Sequence, residues 1–244
     1  MITLDGVTKY FGPVRAVDNL SLQVEKGEIF GLIGPNGAGK TTTLRIMGGV
    51  ILPTSGHVFI NGISLLEDPV SAKAIIGYIP DRPYLYEKLT GWEFLQFMAD
   101  IYKLNRTQAM KRAEGYLELF GLLGREHDLI ESYSHGMKQR LVISSALLHD
   151  PQVIIVDEPM VGLDPAGVKL VRELLVSLAK EGKTVFLSTH TLSIAEQLCG
   201  RLGIINKGKL SATGTMEELR KMSRSGERDL ESIFLRITLE EENG

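Results

Sequence analysis

The chain has 244 residues, 43% of them apolar and 23% charged, the balance of a soluble globular protein that buries a full core, and it reads as one domain carrying an inserted lobe. A formal charge of −3 with no long Lys/Arg run excludes nucleic acid as the main ligand, and a lone cysteine, Cys199, excludes an internal disulfide and agrees with a reducing compartment. Every apolar run falls short of the ~18 residues that cross a bilayer, and Met1-Ile2-Thr3-Leu4-Asp5 puts no basic segment ahead of an apolar one, so neither a membrane span nor secretion is expected.

From residue 1 to 31 the pattern is strand-like. Leu20, Leu22 and Val24 alternate with Ser21 and Gln23, while Phe11-Gly12-Pro13 and Lys26-Gly27 mark turns. Residues 57–60 before Asn61-Gly62 and residues 75–79 before Pro80 extend that reading, which predicts an antiparallel sheet beside the loop that interrupts them. That loop is Gly34-Pro35-Asn36-Gly37-Ala38-Gly39-Lys40-Thr41, a complete phosphate-binding P-loop fed by the apolar strand at 28–33. Gly34, Gly37 and Gly39 let backbone N–H groups converge on a triphosphate where side chains would collide. Lys40 places an ammonium on the β- and γ-phosphates, and Thr41 offers a hydroxyl to Mg²⁺. A helix opening at residues 41–44, Thr42 among them, points its positive end at the same charge.

Between about 84 and 150 the signals become helical. Trp92, Leu95 and Ala99 recur at helical spacing, as do Leu117 and Phe120, and Leu141, Ser145 and Leu148. Within this segment Ser134 is an N-cap type, and Ser134-His135-Gly136 at a helix start also presents a hydroxyl and backbone donors to an anion. The chain thus carries two phosphate-binding elements and one P-loop. An isologous dimer reconciles them, each copy lending its Ser134 helix to the other's nucleotide.

Strand–helix alternation follows, with strands at 153–156 and 185–187, a helix placing Val171, Leu174, Leu175 and Leu178 on one face, and a helix around 194–198. Buried strands alternating with helices predict a parallel α/β sheet. The strand at 153–156 ends in Asp157-Glu158, putting two carboxylates at the carboxyl edge of that sheet. Asp157 suits Mg²⁺ through its water shell, and Glu158 suits a water-polarising base. Asn206-Lys207-Gly208-Lys209 has Lys209 where a guanine-reading Asn-Lys-x-Asp needs an acid, so it reads as a hairpin turn. Polar residues 223–228 then lead to a helix with Leu230, Ile233, Phe234 and Ile237 on one stripe, and 240–244 reads as a frayed acidic end.

In this order the elements resemble the ATP-binding subunit of ATP-binding-cassette (ABC) transporters over nearly the whole chain. The resemblance implies an α/β P-loop NTPase core with a parallel sheet, an N-terminal antiparallel β subdomain and an inserted α-helical subdomain at about 84–150. It implies an ATP-binding domain over 1–222 and a C-terminal helix and tail over 223–244. Tyr133–Met137 is similar to the family's signature sequence, Val161-Gly162-Leu163-Asp164 to its D-loop, and Ser188-Thr189-His190 to its switch histidine. Those matches imply that Ser134, Gly136 and Asp164 serve the shared nucleotide, that His190 senses the γ-phosphate, and that Phe11, or its neighbour Tyr10, stacks on adenine.

Asp81 stands where the family has Gln, and is implied to reach Mg²⁺ or its water. Tyr133, His135 and Met137 replace the commoner Leu, Gly and Gln of the signature. The resemblance further implies ATP and Mg²⁺ as cofactors, hydrolysis coupled to transport of export type, and two partners, a second ATP-binding subunit and a transmembrane permease subunit. The latter would hold the chain at the cytoplasmic face of the cell membrane, with Arg82, Tyr84, Tyr86, Trp92 and Phe94 at the contact or packed within the helical lobe. A soluble assembly ATPase without a membrane partner is the alternative. A catalytically silent ATP-binding regulator is disfavoured by Glu158 and His190 together.

Overall fold

The computed structural model describes residues 1–222 and 230–240, with side chains to 236. The polar stretch at 223–228 and the acidic end at 241–244 lie outside the described residues, as does the Ile237 side chain. The N-terminal strands β1 (Ile2–Phe11) and β2 (Val14–Val24) pair antiparallel, with Ile2 opposite Val24. Strand β3 (Ile29–Ile33) then enters the second sheet, and the P-loop leads into α1 (Lys40–Met47). The chain returns to the first sheet through β4 (Ser55–Ile60) and the two-residue β5 (Ile63–Ser64), completing the antiparallel order β2-β1-β4-β5.

A short α2 (Pro69–Ala74), capped by the Asp68 carboxylate accepting from Ser71 N, precedes β6 (Ile76–Ile79). Here the structure corrects the sequence reading. Residues 76–79 pair parallel with β7 (Val153–Asp157), Ile76 opposite Val153, so this strand belongs to the parallel sheet and not to the antiparallel one. Between β6 and β7 lie α3 (Gly91–Ile101), α4 (Arg106–Leu119) and α5 (His135–Leu147), the helical lobe. Each starts on a side chain that satisfies an orphan N–H, Thr90, Asn105 and Ser134 respectively, and Thr90 with Glu93 forms a capping box.

Helix α6 (Pro165–Lys180) crosses from β7 to β8 (Thr184–Thr189), and α7 (Leu192–Leu198) from β8 to β9 (Arg201–Asn206). The edge strand β10 (Lys209–Gly214) pairs antiparallel with β9, giving the order β10-β9-β3-β8-β7-β6. Every residue of β7 and β8 is buried, as expected of parallel strands covered on both faces. The turn between β9 and β10 takes positive φ at Lys207 (47°) and Gly208 (83°). Gly208 N donates to Ala38 O at 2.9 Å, and Asp18 N donates to Gly208 O at 2.8 Å, so this hairpin tip ties the P-loop to β2. Helix α8 (Met216–Met222) and α9 (Leu230–Glu240) close the described chain, with Leu230 and Ile233 buried beside Ile33, Ala195 and Leu202.

The helical lobe meets the core sheet at His149, after α5. Its ring stacks on Tyr102 at 3.8 Å, and its Nε2 lies 3.0 Å from the Ile76 carbonyl, which fixes the Nε2–H tautomer. Burial pushes its pKa down to about 4. Because the folded pKa is depressed, the folded chain binds fewer protons than the unfolded one between the unfolded value of about 6.5 and about 4. Its stability contribution is complete above that window and is lost as pH falls through it. The urea midpoint should therefore drop from pH 7 to pH 5, and His149→Phe should flatten that drop; an equal drop in the variant would assign the acid sensitivity elsewhere.

Candidate functional site

The P-loop turns sharply because Gly39 holds φ 108°, and a Cβ there would meet Ala16 O at 2.4 Å. Gly39 is also the N-cap of α1 and provides no side-chain cap, which leaves the first N–H groups of that helix open toward an anion. Lys40 is 7% exposed, and its Nζ donates to Gly34 O at 2.7 Å and Pro35 O at 3.0 Å. Burial lowers the Lys40 pKa, and the charges of Glu158 and Asp157 pull it back up. The ammonium thus rests on its own loop's carbonyls, facing two acids.

Those acids sit where β7 ends. Asp157 is fully buried, and Ser188 Oγ, from the end of the neighbouring β8, donates to its Oδ1 at 2.5 Å. Burial raises the Asp157 pKa, opposed by the hydroxyls of Ser188 and Thr41, while Asp81 and Glu158 add to the rise. Its other oxygen, Oδ2, is buried with no hydrogen-bond partner. Glu158 takes φ 52°, a left-handed conformation rare for a residue with a side chain, and its N–H donates to Ser188 O at 3.2 Å. Such backbone strain costs about 1–3 kcal/mol and persists where surrounding contacts impose it. Glu158 Oε1 lies 2.8 Å from His190 Nδ1.

These groups surround a single cavity of about 360 Å³ lined by Ala16, Asn36, Gly37, Gly39, Lys40, Thr41, Thr42, Asp81, Glu158 and His190. Residues separated by the whole helical lobe therefore converge. Gly34, Pro35 and Ala38 complete the loop behind this lining, with Gly34 packed so closely that a Cβ would meet Ile205 O at 2.3 Å. Asp157 sits beneath the lining. Ser134, Gly136, Asp164 and Phe11 are not part of it. Ser134 Oγ accepts from Met137 N at 3.3 Å, and Asp164 caps α6 by accepting from Gly167 N at 3.0 Å. Phe11 is half exposed at the end of β1, with the Lys9 ammonium 5.2 Å from its ring centre, while Tyr10 is paired in the same way with Arg15.

Two neighbours of the site have no role assigned from the sequence. Ala16 reaches the cavity from β2 and gives no local signal. Ser188 binds both the Asp157 carboxylate and the Glu158 backbone, and its place at a strand end before His190 was the available clue.

The chemistry of this set suits Mg²⁺. Among the described residues no group of three or more His, Cys, Asp or Glu could hold a metal ion by itself. Mg²⁺ keeps waters and takes one or two carboxylates together with phosphate oxygens, and the unpartnered Asp157 Oδ2 beside the Thr41 hydroxyl fits that role.

Residues 17–161 match the model of the ABC transporter family. The chain is 42% identical over 225 residues to the bacitracin transport ATP-binding protein BcrA of Bacillus licheniformis, covering 92% of this chain and 72% of that protein. It is 39% identical over 219 residues to the linearmycin resistance ATP-binding protein LnrL of Bacillus subtilis, covering 90% and 70%. Across such curated relatives the chain spans 58% to 80% of their length, and 62% of an uncharacterized ABC transporter ATP-binding protein of Nostoc. A solved ATP-binding subunit of an ABC transporter superposes with a TM-score of 0.92 at 31% identity, covering 97% of this chain and 99% of that one. A dimeric ATP-binding cassette, MJ0796, in a post-hydrolysis state with ADP and Pi superposes with a TM-score of 0.80 at 28% identity, covering 88% and 98%. With that family model matching more than half of its length and relatives near 40% identity along nine-tenths of it, the chain belongs to the ABC transporter family, as an ATP-binding cassette.

Proposed function

We propose that two copies of this cassette close around ATP and Mg²⁺, hydrolyse the ATP and reopen, and that this cycle drives an export-type transporter through a transmembrane permease subunit. The observation that carries the reading is the convergence of Lys40, Asp81, Glu158 and His190 on one cavity. On binding, the triphosphate replaces the Gly34 and Pro35 carbonyls as partner of the Lys40 ammonium. The loop amides and the open end of α1 take the remaining phosphate oxygens. Thr41, Asp157 and, through water, Asp81 would hold Mg²⁺, which would supply neutralisation of the phosphate charge.

Glu158 then polarises the attacking water, and His190, already paired with it, orients that carboxylate and hydrogen-bonds the γ-phosphate. Phosphoryl transfer depends on such positioning and charge neutralisation more than on covalent chemistry. Ser134 and Gly136, on the other lobe, complete the partner's site, Asp164 serves the shared nucleotide, and Phe11, or its neighbour Tyr10, stacks on adenine. The dimeric state of MJ0796 supports this pairing, and the names of BcrA and LnrL favour export over an assembly role.

In this reading the chain is held at the inner face of the cell membrane by the permease; no helix of the described residues is long and apolar enough to cross a membrane. Exposed Tyr84 and Tyr86 flank the segment after Asp81 where that contact forms. Pull-down of the tagged chain from detergent-solubilised membranes should bring a multi-spanning protein with it. Recovery of soluble partners alone would contradict the transport assignment.

A further inference from the structure

The helix that opens at His135 and the turn that carries Glu158 meet at one glycine. Gly162 holds φ 78°, and a Cβ on it would lie 2.2 Å from His135 Cδ2 and 2.5 Å from His135 Nε2. The imidazole edge thus rests on the Gly162 Cα with no room for a methyl group between them. One turn further along α5, Arg140 Nη2 donates to Asp164 Oδ1 at 2.8 Å, and Arg140 Nη1 to Phe120 O at 3.4 Å. Helix α5 therefore grips the segment at 162–164 twice, by a ring and by an ion pair.

That segment continues directly from Glu158. Val161 N donates to Glu158 O at 3.2 Å, and Leu163 N to Met160 O at 3.4 Å, forming a compact double turn. One end is held by Ser188 at the Glu158 N–H, the other by Arg140 at Asp164, and His135 presses on the middle. Glu158 itself is in a left-handed conformation, which relaxes unless its surroundings impose it.

We propose that His135 is a positioning residue for Glu158, acting through Gly162, with the Arg140–Asp164 pair as its second anchor. The inference rests on the reading of Glu158 as the water-polarising group. His135 stands at a helix start outside the cavity lining, so in this role it touches neither the nucleotide in its own chain nor the water, and works by shape. A planar ring of similar size substitutes for it; a methyl group does not.

Steady-state ATPase measurements on the full chain test this. His135→Ala should lower kcat by about tenfold or more, because displacing a reacting group by ~1 Å costs up to about 100-fold, while KM for ATP stays within about twofold. His135→Phe should restore most of kcat. The losses from His135→Ala and Gly162→Ala should be non-additive in the double variant, since removing the ring frees the space the new methyl needs. If His135→Ala is too unstable to assay, His135→Gln, polar but ringless, carries the same expectation.

An unchanged kcat in His135→Ala overturns the proposal. So does a Phe variant as slow as the Ala variant with weakened ATP-dependent dimerisation, which would instead make His135 a direct contact to the partner's phosphate. Glu158→Gln measured in parallel separates the two layers: full turnover in that variant would sink the underlying assignment of Glu158, whatever His135 does.

Discussion

Replacing Glu158 by Gln is expected to leave ATP binding intact and to cut turnover by about 100- to 10,000-fold, the range associated with a positioned general base. The amide keeps the shape and hydrogen-bonding reach of the carboxylate, and so preserves the strained turn at φ 52°, but it no longer draws the proton from water. Its contact with His190 Nδ1, 2.8 Å from the carboxylate oxygen, also loses its charge. Binding of a fluorescent ATP analogue and phosphate release in a single turnover are the two readouts. Normal binding with no phosphate release is the predicted pair, and phosphate release at the wild-type rate would remove Glu158 from the mechanism.

Lys40→Ala is expected to fail one step earlier, at binding. A buried ammonium whose phosphate partner is also desolvated loses about 2–5 kcal/mol when truncated, a weakening of ~30-fold or more in Kd. Thermal denaturation separates this from misfolding. Saturating ATP and Mg²⁺ should raise the midpoint of the wild type by mass action, while the variant should melt cooperatively with a much smaller rise at the same concentrations. A wild-type shift in Lys40→Ala would mean that the ammonium, now on the Gly34 and Pro35 carbonyls, never transfers to the triphosphate.

The parts of the site that were legible in the sequence are those built from contiguous residues. The P-loop is one run because a strand, a glycine turn and a helix start must be consecutive to converge their N–H groups on one anion. Asp157 and Glu158 were legible for a similar reason, as an apolar strand delivers whatever follows it to the sheet edge. The Lys207-Gly208 turn was readable from its glycine, though not its bonds to Ala38 and Asp18, which depend on tertiary placement.

What stayed hidden depends on pairing at long range. Residues 76–79 carry no sign of whether their partner is the N-terminal sheet or β7, which arrives only after the helical lobe; the structure chose β7. Helix α2 was missed because its small residues show no apolar stripe and only Ala72 is buried. The contact between His135 and Gly162 could not be anticipated, because it requires knowing that the start of α5 lies against the turn after β7.

In the proposed cycle one ATP is held between two chains, by the Lys40 loop of one and the Ser134 helix of the other. Light scattering of Glu158→Gln, with and without ATP and Mg²⁺, measures that directly. The mass should double from that of the 26.9 kDa chain when ATP is added, and Ser134→Arg in the same background should prevent the doubling. A chain that binds ATP and remains monomeric at every concentration, or a Ser134→Arg variant that dimerises as well as its parent, would contradict it.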